Sequence, residues 1–141
     1  MKITIRSVKI KDWDFILSLR NNKKFSKFFY TQEQISKKSH YQYMKQQKTN
    51  NDFFNWIICY GENDVGYIRI LNNDVSIMIQ EKYQGKGIGV KTLSLIEIEA
   101  KKIGIKKLVG RIMVENKSSM KVFGKNNYKL KMYWLEKELG N

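Results

Sequence analysis

The stretch "MIQEKYQGKGIGVKTLSLIE" (Met78–Glu97) holds three of the chain's nine glycines, Gly85, Gly87 and Gly89, within five residues. An apolar, alternating run leads into them, and apolar residues at helical spacing follow. A strand that enters a glycine-rich turn and then a helix brings several main-chain N–H groups together at a helix N-terminus. The first four N–H groups of a helix have no partner inside it, and the aligned peptide dipoles place partial positive charge there. Such an end seats phosphate oxygens, and glycine removes the Cβ atoms that would hold a pyrophosphate off the backbone. A Walker A loop fails on its span, because Val90 and not a glycine stands five residues after Gly85. A dinucleotide fingerprint fails too, since these glycines alternate strictly and come late in the chain.

Outward from this turn, the periodicity predicts one α/β domain over residues 1–141 with a mixed, mostly antiparallel sheet and about four flanking helices. Lys2–Val8 alternates as a strand, and Asp12 is expected to cap a helix carrying Trp13, Ile16, Leu17 and Arg20. A second helix is expected from about Gln34 to Gln47. Phe53–Tyr60, Val65–Leu71 and the alternating Val75, Ile77 and Ile79 read as strands joined by hairpins. Leu93, Ile96, Ala100 and Ile103 mark the helix after the glycines, and Gly104 its stop. "KKLVGRIMV" (106–114) reads as a strand, Asn116 as the start of a helix bearing Met120 and Phe123, and Asn127 as its left-handed exit. "YKLKMYWLE" (128–136) reads as one or two last strands.

The 141 residues carry a net charge of +14, from 23 lysines and four arginines against 13 acidic residues. The lysines are scattered rather than clustered, and a groove-reading nucleic-acid module concentrates arginine, so nucleic acid is not the expected partner. A general pull on anionic ligands remains. No apolar run reaches the ~20 residues of a membrane span. The N-terminus alternates instead of forming a signal core, so a cytoplasmic location is expected. The single cysteine, Cys59, lies in an apolar run and is expected in the core. No pattern of metal ligands stands out.

Gln84, Gly87 and Gly89 fill the pattern Q-x-x-G-x-G. With the strand before it and the helix after it, this closely resembles the acyl-coenzyme A loop of the GNAT superfamily of N-acyltransferases. "ITIRSVKIKDWDFILSLRNN" (3–22) and "VENKSSMKVFGKNNYK" (114–129) resemble the family's opening and later segments, so the likeness covers nearly the whole chain. It implies that amides of Gly85, Lys86, Gly87, Ile88 and Gly89 hold the pyrophosphate of acetyl-CoA, with Gln84 in the loop and Lys86 adding charge. It implies that main chain at Met78 and Ile79 pairs with the pantetheine arm, where an N–H stabilises a developing oxyanion. Asn116 would bond the same arm, and Ser119 one turn later would face the groove.

One position departs from the family. Many members carry at Phe123 a tyrosine that protonates the leaving thiolate. Its replacement leaves Tyr83, Tyr128, Ser119 or water as donors. Only a neutral amine attacks, so a base is needed as well. Asp74 and Ser76 open the strand where relatives place an acidic base; a turn residue is the plainer reading of Asp74. His40, the one histidine, suits proton transfer by its pKa class and stands beside the expected acceptor cleft.

"LRNN…FFYTQEQISKKSHYQYM" (19–44) resembles small family members that acetylate nucleotide-linked deoxyamino sugars in surface-glycan pathways of the pseudaminic acid type. Arg20, Asn21, Thr31 and His40 would then line the acceptor side. The expected function is transfer of acetyl from acetyl-CoA to such a primary amine, by a monomer or homodimer. A protein N-terminal acetyltransferase of the ribosomal-protein type is an alternative, as is a non-catalytic acyl-CoA- or RNA-binding module of the same fold.

Overall fold

The computed structural model describes residues 1–140. Four strands form one sheet in the order β1 (Ile3–Ser7), β2 (Phe53–Tyr60), β3 (Asn63–Leu71) and β4 (Asp74–Ile79), each antiparallel to the next. Between β1 and β2 the chain makes α1 (Trp13–Arg20), α2 (Lys23–Ser26) and α3 (Lys37–Gln47), and after β4 come α4 (Ile88–Ile103) and α5 (Lys117–Lys125). The turn at Asn72–Asn73 has both residues at positive φ, 50° and 70°, a conformation asparagine tolerates and two-residue hairpins need.

Alternation sorts the sheet's side chains into two cores. Ile58, Ile68, Ile70 and Val75 pack with Ile88, Leu93, Ile96 and Ala100 of α4 and with Phe123 of α5. Ile57, Cys59, Tyr67 and Met78 on the other face pack with Trp13, Ile16, Leu19 and Met44 of α1 and α3. Cys59 is buried as expected, and burial pushes its thiol pKa up.

Three readings need correction. Asp12 does not cap α1. Its carboxylate accepts from Lys9 N at 2.8 Å and from both terminal nitrogens of Arg6 at 2.9 Å, closing the short turn Ile10–Asp12 that precedes the helix. The helix expected from about Gln34 is α3 and starts at Lys37, where the Ser36 hydroxyl accepts from Ser39 N, so residues 27–36 are loop.

The third correction concerns the late strands. Segment 105–113 makes only a parallel bridge, Asp74 to Val109, through Val75 N to Val109 O at 2.8 Å and Val109 N to Asn73 O at 2.9 Å. Beyond that bridge β4 and the segment form no further ladder. Residues 129–140 run without helix or strand, are exposed, and pair with no strand edge, whose hydrogen bonds a strand needs. The stops at Gly104 (φ 95°) and Asn127 (φ 67°) are left-handed as read.

Candidate active site

The glycine turn leaves open space at the first turn of α4. Gly85 and Gly87 have φ of 77° and 78°, the left-handed region that favours glycine, and a Cβ at either would meet no protein atom within 4 Å. The space outside them is open. Gly89 is different: its missing Cβ lets α4 lie against Val122 and Ile79, so it serves packing. Gln84 Nε2 donates to Ile79 O at 3.0 Å and ties the turn to the end of β4.

The decisive feature is what the amides do. Lys91 N is the first along the helix to find an acceptor, Gly87 O at 3.2 Å. Among the described residues the main-chain N–H groups of 85 through 90 have no protein acceptor. These are the orphan donors of a helix N-terminus, extended backward by the turn. They fit a pyrophosphate.

Beside the turn, the parting of β4 from segment 105–113 leaves a second row of donors. Val75 N points outward to Val109. In an antiparallel strand the N–H groups two and four residues on, of Ile77 and Ile79, point the same way. The amide of Met78 alternates inward, toward β3. Ile77 was not singled out from sequence, although the outward parity of Val75 and Ile79 includes it. Asn116 caps α5, its Oδ1 accepting from Ser119 N at 3.1 Å, which leaves its amide nitrogen and the Ser119 hydroxyl without protein partners among the described residues.

Phe123 is core: a Cβ on Gly110 would fall 2.7 Å from its ring, and Tyr128 packs edge-on with centroids 4.9 Å apart. The Tyr128 hydroxyl is buried without a partner, and burial raises its pKa to about 12. Tyr83 stacks edge-on with Tyr60, and Lys82 lies over its ring.

The residues expected to line an acceptor act mainly on their own loop. Arg20 Nη2 donates to Thr31 O at 2.6 Å, with its guanidinium 4.4 Å above the Phe29 ring. The Asn21 side chain donates to Ile35 O at 2.8 Å and accepts from Ile35 N at 2.9 Å. Together they hold residues 22–36 against the end of α1. His40 is buried rather than surface-exposed, and its Nε2 sits 2.9 Å from Trp13 O, the geometry of an N–H donating to a carbonyl. Burial lowers its pKa, so the neutral ring is favoured.

Asp74 is already engaged. Arg69 Nη1 lies 3.3 Å from its Oδ2 and Arg111 Nε 3.3 Å from its Oδ1. Ser76 faces Arg69 across the ladder. Register places Asn55, Tyr67, Arg69, Ser76 and Asp74 on one face, and Asn55 Nδ2 donates to the Tyr67 hydroxyl at 3.1 Å. Sequence reasoning missed Arg69, Arg111 and Tyr67; an arginine inside the apolar run "VGYIRIL" was the available signal. A hollow of about 410 Å³ between α1, α3 and the start of β2 reaches this polar floor at Asn55.

Residues 2–129 match the family model described as "Acetyltransferase (GNAT) domain". The chain belongs to the GNAT acetyltransferase family. It is 34% identical over 139 residues to an uncharacterized protein of Methanocaldococcus jannaschii, covering 91% of this chain and 28% of that protein. The chain thus spans little more than a quarter of that curated relative. The crystal structure of a domain from the same organism superposes with a TM-score of 0.81 at 30% identity, over 91% of this chain and 88% of that one. Spermidine N-acetyltransferase from Vibrio cholerae, solved with CoA and spermine, has a TM-score of 0.86 at 16% identity, over 99% of this chain and 88% of that one, and shares the fold. Among the described residues, no cluster of His, Cys, Asp or Glu is placed to hold a metal, and no helix is long and apolar enough to cross a membrane.

Proposed function

We propose that this GNAT domain moves the acetyl group of acetyl-CoA to a primary amine, and that the amine belongs to a nucleotide-linked deoxyamino sugar. The run of unpartnered amides from 85 to 90 carries the reading of the donor. The sugar assignment is supported by the resemblance of residues 19–44 and by the loop that Arg20 and Asn21 hold in place.

When bound, acetyl-CoA supplies an activated acetyl thioester. Amides 85–90 would hold its diphosphate, and the outward N–H groups of Ile79 and Ile77, about 7 Å apart along the strand, would pair in turn with the pantetheine arm and the reacting carbonyl, where a donor stabilises charge developing on oxygen. An N–C bond forms and the C–S bond breaks. The amine loses one proton and the sulfur gains one, so the balance needs an acceptor and a donor of protons. Phe123 donates none, and the Tyr128 hydroxyl is packed inside. The Tyr83 or Ser119 hydroxyl, or water, remains as the donor. Both oxygens of Asp74 already face guanidiniums, so water is the acceptor we assign, with Asp74 in a positioning role.

The test is thiol release from acetyl-CoA across a panel of amines, headed by a nucleotide-linked amino sugar and including polyamines and peptide N-termini. Preferred turnover of the sugar nucleotide is expected. Preferred turnover of a peptide or polyamine would overturn the sugar assignment, and turnover of none would overturn the enzymatic reading.

A further inference from the structure

Two of the chain's four arginines meet at one carboxylate, where β4 parts from segment 105–113. Arg69 Nη1 donates to the Asp74 carbonyl at 3.1 Å and to Oδ2 at 3.3 Å, while Arg111 approaches Oδ1 through Nε at 3.3 Å. Two cations against one anion leave a positive charge over. A guanidinium carries five N–H donors. Among the described residues, Nε and Nη2 of Arg69 and both terminal nitrogens of Arg111 have no acceptor. The Arg69 side chain is only 24% exposed, so its free donors lack full hydration, whereas Arg111, at 73%, opens to solvent. Tyr43 of α3 and Tyr67 of β3 stand close enough to feel the Arg69 charge.

A shared carboxylate brings the two planar forks together before any ligand arrives. Forks of this kind recognise phosphate through paired, charge-assisted hydrogen bonds. The position also fits. Ile77 follows Asp74 by three residues, roughly 10 Å along an extended strand, which separates this charge from the thioester end of the groove. A glycosyl diphosphate likewise sets its phosphates apart from a ring amine by the width of the sugar.

We propose that Arg69 and Arg111, spaced by Asp74, bind the diphosphate of the acceptor and thereby select a nucleotide-linked amine. This rests on the proposed function for the amine, but the anion site is testable alone. Calorimetry with uridine diphosphate is run in saturating coenzyme A, so that the glycine turn is already filled. The wild-type protein binds, Arg111→Gln and Arg69→Gln each weaken binding at least about tenfold, a loss of ~1.4 kcal/mol, and coenzyme A affinity stays unchanged. Absence of binding, or binding indifferent to both substitutions, overturns the inference even if amines are acetylated. Binding of succinate in preference to the nucleotide overturns the diphosphate assignment. Binding of the nucleotide as expected, with no amine acetylated, sinks the proposed function and leaves the anion site standing.

Discussion

Gly89 lies against Val122, so closely that a β-carbon at position 89 would fall 3.2 Å from Val122 Cγ1 and 3.5 Å from Ile79 Cδ1. The first turn of α4, which carries the free amides, is therefore seated by contact with both α5 and β4. Gly89→Ala adds a methyl group to a filled space, where overpacking costs about 1–3 kcal/mol. Lower stability in urea and a several-fold weaker coenzyme A affinity are expected together, read by denaturation and calorimetry. Unchanged affinity would separate the seating of this turn from ligand binding.

Gly87 and Gly104 stand at opposite ends of α4 with φ of 78° and 95°, and neither has protein within 4 Å of a would-be Cβ. Replacing either by alanine forces an L-residue into left-handed backbone, at about 1–2 kcal/mol. The two variants should lose similar stability. Only Gly87→Ala should lose coenzyme A affinity as well, by about tenfold or more. Equal affinities in the two variants would count against a phosphate seat at the turn.

How much of this could be read from the chain depends on how local the cause is. The glycine turn and its helix were legible because left-handed backbone and helix periodicity are written residue by residue in Gly85, Gly87, Ile96 and Gly104. The fork at Asp74 was not, because Arg69 and Arg111 lie 42 residues apart and meet only through the sheet register and the Asp74–Val109 bridge. His40 misled in a similar way: its neighbours Lys38 and Ser39 are polar, yet its own helical face turns inward onto Trp13. The tail 128–136 alternates like a strand, but alternation states only which residues would share a face, not whether a partner edge exists.

Asn21 joins α1 to the loop before α3 through both ends of its amide, to Ile35 N and Ile35 O. Asn21→Ala removes both bonds and leaves the Ile35 N–H without its partner, a change of about 1–3 kcal/mol. The loop should loosen while the glycine turn stays as it is. A several-fold rise in acceptor KM with unchanged coenzyme A affinity is the expected split. A fall in coenzyme A affinity of the same size would assign Asn21 to global stability.

His40 makes stability depend on pH in a stated direction. Burial depresses its folded pKa below the unfolded value of 6.5. The unfolded chain then binds the extra proton in the window below 6.5, so stability is full above that pH and declines as pH falls toward the folded pKa. Asp12, held low by Arg6, adds its own loss only at more acid pH, below the usual carboxylate value of 3.8. Urea midpoints of the wild-type protein should therefore fall between pH 7 and 5, and His40→Gln should flatten that slope. An equal slope in both would remove His40 as the cause.

Tyr128 offers the sharpest check on the missing proton donor. Its hydroxyl is buried without a partner beside Phe123, with its pKa raised to about 12, chiefly by burial and further by the charge of Glu97. An unpaired buried hydroxyl costs stability, commonly about 1–3 kcal/mol. Tyr128→Phe keeps the edge-on contact with Phe123 and removes only the oxygen. Stability should hold or rise, and kcat should stay within a factor of about two if the thiolate takes its proton from Tyr83, Ser119 or water. General acid catalysis is worth about 10²–10⁴-fold. A fall in kcat of that size, with coenzyme A affinity intact, would instead make Tyr128 the acid and require its ring to swing toward the groove during turnover.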